Sequence, residues 1–124
     1  MILILGGAYQ GKLDFAKEAF SFSEAEVFSC QNEEIDFSKR CIYGIEEFTY
    51  ACIEKQKDPI AYFKEHREAW AESILICRDI FCGVVPLDYV QRQWRQTTGR
   101  LCQYLASEAK QVSRIFCGLE QRLK

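Results

Sequence analysis

The chain has 124 residues, 48% of them apolar and 27% charged, and carries a net charge of −2. That length and balance suit one domain with one core, taken as residues 1–124, and the slight acidity excludes a general affinity for nucleic-acid backbones. No apolar run approaches the roughly 20 residues of a membrane helix, so no membrane partner is expected.

Met1 to Leu5 is a short apolar run stopped by a glycine pair, and reads as a buried parallel strand. No charged leader or cleavage site is visible ahead of it, which argues for a cytoplasmic chain. Residues Lys12 to Phe22 place Phe15, Ala16, Ala19 and Phe20 on one helical face. Val27 to Cys30 reads as a second strand, and residues 31–40 as a polar loop. Ile42 to Cys52 shows helical spacing. Asp58-Pro59 is a helix start, with Asp as N-cap and Pro in the first turn, and the helix is expected to run to about Glu72.

Ser73 to Cys77 is a further buried strand, and Arg78 to Pro86 a loop broken by Gly83 and Pro86. Asp88 caps a long helix to about Ala109, with Val90, Trp94, Leu101 and Leu105 at the 3.6-residue period. Val112 to Cys117 is the last core strand, broken by Gly118. Trp70, Trp94, Phe63 and Leu101 are candidate core residues. Lys55, Lys57, Lys64 and Arg67 read as a solvated helix surface. The alternation of strands and helices predicts an α/β fold: a mostly parallel sheet with helices on both faces.

Seven cysteines are present and none forms C-x-x-C. Most lie in apolar runs, where a thiol acts as a small core residue, so they read as reduced thiols rather than as a disulfide framework or zinc site. His66 is the only histidine, which excludes a His-rich metal site, and no protein metal ligand is assigned.

The most specific local signal is Gly6-Gly7-Ala8-Tyr9-Gln10-Gly11-Lys12-Leu13, lying between the first strand and the first helix. It fits G-x-x-x-x-G-K, the start of the P-loop pattern. Glycines let main-chain N–H groups turn inward around an anion, and the helix N-terminus adds its positive end. Lys12 is placed to reach the β- and γ-phosphates. The eighth position departs from the pattern: Leu13 stands where a Ser or Thr hydroxyl would bind Mg²⁺. Tyr9 is bulky for such a loop. A glycine-rich turn without a ligand is the plainer alternative.

From Ile74 onward the sequence resembles the C-terminal part of the bifunctional adenosylcobinamide kinase/adenosylcobinamide-phosphate guanylyltransferases. An apolar strand runs into Arg78-Asp79-Ile80-Phe81-Cys82-Gly83-Val84-Val85-Pro86. Arg92, Arg95, Gly99, Arg100, Gln103, Leu105 and Ala106 follow on a helix, then Cys117-Gly118-Leu119 and Leu123-Lys124. The glycine loop at Gly6 to Lys12 matches the family's N-terminus.

The resemblance implies a P-loop NTPase-like fold and binding of GTP or ATP, with Mg²⁺ as the accompanying ion. It also implies adenosylcobinamide as a partner and assembly into homo-oligomers. Nucleotide contacts then fall on residues Gly6, Gly7, Ala8, Tyr9, Gln10, Gly11, Lys12 and Leu13, with Arg100 as a further phosphate-binding candidate. Lys12 and Asp79 are the catalytic candidates. Asp79, just past a strand's carboxyl end, is placed to hold a metal or orient a hydroxyl; the alternative is a solvated loop acid or an ion pair with Arg78. Arg92 and Arg95 read equally well as a solvated face.

Family members are longer, and the histidine-containing stretch that accepts the GMP group has no counterpart here. Three functions follow: a nucleotide-dependent transferase, a non-catalytic nucleotide- or corrinoid-binding subunit, or an oligomeric structural relic.

Overall fold

Among the described residues, six strands form one sheet in the order β2-β3-β4-β1-β5-β6. They are β1 (Ile2–Gly6), β2 (Val27–Ser29), β3 (Cys41–Tyr43), β4 (Ile74–Arg78), β5 (Gln111–Phe116) and β6 (Leu119–Arg122). Among the described residues, four α-helices connect them, α1 (Lys12–Phe20), α2 (Ile45–Glu54), α3 (Pro59–Glu65) and α4 (Tyr89–Glu108), with a short 3-10 turn at Glu24–Glu26. The computed structural model describes residues 1–80 and 88–124. The loop expected around Gly83 and Pro86, with Cys82, lies outside the described residues.

The first five strands run parallel, and β6 returns antiparallel to β5 through the turn at Cys117-Gly118. The apolar runs of β1 and β4 occupy the middle of the sheet because both of their faces are covered. Leu3, Leu75, Cys77 and Val112 pack on one face with Phe48, Phe63, Trp70, Leu101 and Leu105 from the segments carrying α2, α3 and α4. Ile4, Ile76 and Ile115 pack on the other face with Ala16 of α1. The expected architecture, a mostly parallel sheet with helices on both faces, is the one observed.

The two expected helix starts are present. The Asp58 carboxylate accepts from the N–H groups of Ile60 and Ala61, and that of Asp88 from Gln91. Such caps satisfy amides that a helix leaves unpaired at its first turn.

Several expectations need correction. The helix after Pro59 stops at Glu65, not near Glu72. The Phe63 carbonyl accepts the Trp70 indole N–H at 2.7 Å, and the His66 imidazole Nδ1 lies 2.8 Å from the Tyr62 carbonyl. The indole takes the Phe63 carbonyl that a longer helix would give to the Arg67 N–H. Cys41–Tyr43 is a strand ahead of α2, and Leu119–Arg122 is an edge strand; neither was expected. Trp94 is only half-buried, whereas Trp70, Phe63 and Leu101 are fully enclosed. Of the expected surface cations, Arg67 differs: its guanidinium stacks 4.4 Å from the Trp70 ring centroid.

Candidate functional site

The parallel strands β1, β3 and β4 all end at one sheet edge, where open α/β sheets bind ligands. There β1 runs out into residues 7–11 and α1 begins. A cleft of about 670 Å³ opens at this edge, lined by residues 8–14, by Gly44 and Glu46 at the start of α2, and by Arg78 at the end of β4.

Two glycines are dictated by this geometry. A Cβ on Gly6 would lie 2.6 Å from the Ile115 carbonyl oxygen, closer than any side chain can approach. Gly11 is the N-cap of α1 with φ +87, in the left-handed region that glycine adopts without a steric penalty. Tyr9 also has positive φ, at 61°, and its side chain is fully exposed. Its ring therefore projects into solvent and does not fill the loop. The Gln10 side-chain oxygen accepts from the Cys117 N–H at 2.6 Å, and the Gln10 carbonyl from the Gly118 N–H at 3.0 Å. The β5–β6 turn thus holds the loop from outside.

Lys12 is 7% exposed, and its ammonium donates to the Gly7 carbonyl at 2.6 Å. Burial lowers its pKa from the ordinary value of 10.5; the nearby Glu46 carboxylate works against that shift and Arg78 works with it. Among the described residues no carboxylate lies within 4.0 Å of the ammonium. A buried cation without a counter-ion favours an incoming anion. Leu13, in place of a hydroxyl residue, packs against the apolar cluster beneath α1.

Sequence reasoning overlooked Glu46. Its side chain is buried at the head of α2, where Oε1 accepts the Arg78 N–H at 2.8 Å. Its carbonyl accepts the Trp94 indole N–H at 2.8 Å and the Thr49 hydroxyl at 2.9 Å. Thr49 and Thr98 share a buried hydrogen bond of 2.6 Å, which locks α2 to α4 behind the cleft. The Arg78 guanidinium lies 6.0 Å from the Trp94 ring centroid.

Asp79 lies just past β4, and its N–H donates to the Gly6 carbonyl at 2.8 Å. Its carboxylate pairs with Arg114 at 4.0 Å rather than with Arg78, and its Oδ1 is buried without a partner among the described residues. It is near enough to act on Lys12 but does not line the cleft. The structure does not bring Arg100 to this edge. Arg100 is exposed on α4 and borders a separate groove between α4 and the α2–α3 connection. His66 stacks on Tyr62 and Phe37, away from the loop.

A magnesium ion takes hard oxygen ligands in near-octahedral array, usually a carboxylate or two beside the phosphates. The Leu13 side chain offers none. Asp14, Glu46 and Glu47 line the cleft, yet no three metal-ligating side chains converge among the described residues. Residues 81–87, FCGVVPL, contain no carboxylate. Glu46 is already engaged by the Arg78 N–H and flanked by two cations. Asp79, with Oδ1 buried and without a hydrogen-bond partner among the described residues, is the carboxylate near Lys12 that remains open to a cation.

The family model for cobinamide kinase / cobinamide phosphate guanyltransferase matches residues 41–123, about two thirds of the chain. The chain belongs to this family. Its members serve cobalamin biosynthesis as nucleotide-using kinases and guanylyltransferases. The matched region starts at β3 and takes in the Cys117-Gly118 turn that buttresses the glycine loop, but not the loop itself. No curated protein matches the sequence. No helix among the described residues is long and apolar enough to cross a membrane.

Proposed function

We propose that this member of the cobinamide kinase / guanyltransferase family binds the phosphates of GTP or ATP at residues 6–13. The observation that carries this reading is Lys12: a buried ammonium at the mouth of a glycine loop, held among the described residues by a backbone carbonyl and no ion pair. The first-turn amides of α1 have no partner within the helix and supply further donors for an anion. On binding, the Lys12 ammonium exchanges the Gly7 carbonyl for phosphate oxygens.

The transferase chemistry that fits is the kinase half. The bond from the γ-phosphorus to its bridging oxygen breaks, and a new one forms to the hydroxyl of the corrinoid's aminopropanol arm. The hydroxyl proton leaves to a carboxylate or to water. Lys12 and the loop amides stabilise charge on the transferred group. Asp79, with Oδ1 buried and without a hydrogen-bond partner among the described residues, is the base candidate. Guanylyl transfer lacks its acceptor, because the single histidine of the chain stacks elsewhere. Leu13 favours a second reading, binding without turnover. A homo-oligomer and a cytoplasmic setting belong to the same proposal.

Titration calorimetry with GTP and ATP tests the binding, and transfer of labelled γ-phosphate to adenosylcobinamide tests the turnover. Lys12→Ala is expected to weaken nucleotide affinity about 10-fold or more, the loss of one charge-assisted contact. Unchanged affinity in that variant sinks the assignment. Binding with no labelled corrinoid product selects the second reading.

A further inference from the structure

β6 ends the sheet, and no strand lies along its outer side among the described residues. All four of its residues are exposed. It carries no proline, and its pairing with β5 runs without a bulge, so two common ways of blunting a sheet edge are absent. The strand at the other edge, β2, is three residues long, with Val27 and Phe28 half-buried.

The β5–β6 ladder sets which groups face outward. Its turn closes on Phe116 and Leu119, and the Leu123 N–H donates to the Val112 carbonyl at 2.8 Å. In an antiparallel ladder this alternation turns the main-chain groups of residues 119, 121 and 123 toward β5, and those of Glu120 and Arg122 toward the free side. The side chains divide in the same way. Glu120 and Arg122 share one face of the sheet; Leu119 and Leu123 share the other with Phe116, and these three are each more than half exposed. The Ser113 hydroxyl donates to Glu120 Oε2 at 2.6 Å, but neither Glu120 nor Arg122 has an ion-pair partner among the described residues.

This edge is complementary to its own copy. Two β6 strands paired antiparallel about Gln121 set Glu120 of each against Arg122 of the other, where their outward main-chain groups also meet. On the opposite face the same register sets Leu119 against Leu123. The adjacent symmetric registers lie two residues away, because each side chain must keep its face. One of them lays Glu120 against its own copy and the other lays Arg122 against its own, and like charges disfavour both. We infer that β6 is a dimerisation edge, which joins two copies of this chain about a two-fold axis at Gln121 into one continuous sheet. The inference goes beyond the nucleotide-binding reading and does not depend on it; it gives the homo-oligomer proposed above a surface and a register.

The test is sedimentation equilibrium of the full chain from micromolar to submillimolar concentration. The parent is expected to pass from monomer to dimer. Glu120→Arg and Arg122→Glu, each alone, put like charges across the seam and are expected to raise the dimer Kd about 10-fold or more. Mixed in equal amounts, the two variants are expected to form a mixed dimer near the parental affinity, because each then meets opposite charge at both positions. Thermal melting shows whether each variant is folded. Amide exchange in the parent needs no substitution: it is expected to slow with concentration at Glu120 and Arg122 and to stay level at Gln121, which already bonds to β5. A parent that stays monomeric overturns the inference, and so does exchange at Glu120 and Arg122 that ignores concentration. Folded variants that do not associate on mixing overturn it too. An assembly that neither reversal weakens overturns this seam and leaves the homo-oligomer standing. GTP binding by a strictly monomeric parent leaves the nucleotide reading standing without it.

Discussion

Gly6 carries a constraint that no side chain satisfies. The added Cβ would meet a main-chain oxygen of β5, which cannot turn aside as a side chain could. Gly6→Ala must therefore push β1 from β5 or strain the first loop residue. The expected cost is about 1–3 kcal/mol, as for overpacking a core, read as a lower urea midpoint. Gly7→Ala is the contrast, since its Cβ would meet only the Gln10 Cγ at 3.6 Å. That change is expected to stay within about 0.5 kcal/mol of the parent. Equal losses at both positions would contradict the packing account. Gly6, Gly11 and Lys12 were legible in the sequence because their spacing is a motif with a mechanism. Glu46 was not, because its helix shows only an acidic pair in a first turn, which any helix favours. Its burial arises from the meeting of α2 with β4, a contact 32 residues apart in the chain.

Helices were easier to foresee than strands, and the reasons are physical. Asp58-Pro59 and Asp88 announce their helices through side-chain caps that act within three residues. β3 is only three residues long, and its Ile42 falls by coincidence on the helical period of Ile45, Phe48 and Cys52 that follows. β6 is exposed at all four positions, so no alternation marks it. Its pairing comes from the Cys117-Gly118 turn, where both residues take positive φ. The end of α3 was misplaced because a tryptophan seven residues on from Phe63 captures a helix carbonyl, and no local propensity reports that. The Asp88 cap has a further consequence, since α4 carries Trp94 and Thr98 to the rear of the cleft. Asp88→Ala is expected to cost about 1 kcal/mol, seen as a lower denaturation midpoint with an unchanged m-value. Asp88→Asn or Asp88→Ser should restore most of it. A loss equally large in all three would point to a role for the charge beyond capping.

At the scale of the whole molecule the two ends of the chain meet at one site: the turn after β5 holds the loop after β1. The same enclosure sets a dependence on pH. Burial pushes the thiols of Cys30 and Cys41 up to about 12, and that of Cys52 up to about 11, from an ordinary value of 9.0. Well below pH 9.0 these groups keep their protons whether the chain is folded or not, so they add no slope there. Above it the unfolded chain releases thiol protons that the folded chain retains. The unfolded state then binds fewer protons, and stability falls as pH rises toward the folded values. The lowered pKa values of Lys12 and of the Met1 amino group act with the opposite sign, but among the described residues they are two groups against five, since Cys77 and Tyr104 are raised as well. The urea midpoint of the reduced protein is therefore expected to be level up to about pH 8.5 and to decline through about pH 10.5. A Cys30→Ala, Cys41→Ala variant starts less stable, and its midpoint should decline less steeply over the same range. A midpoint that stays level through that range, or a slope that the double variant does not change, would show that these thiols are not held protonated by burial.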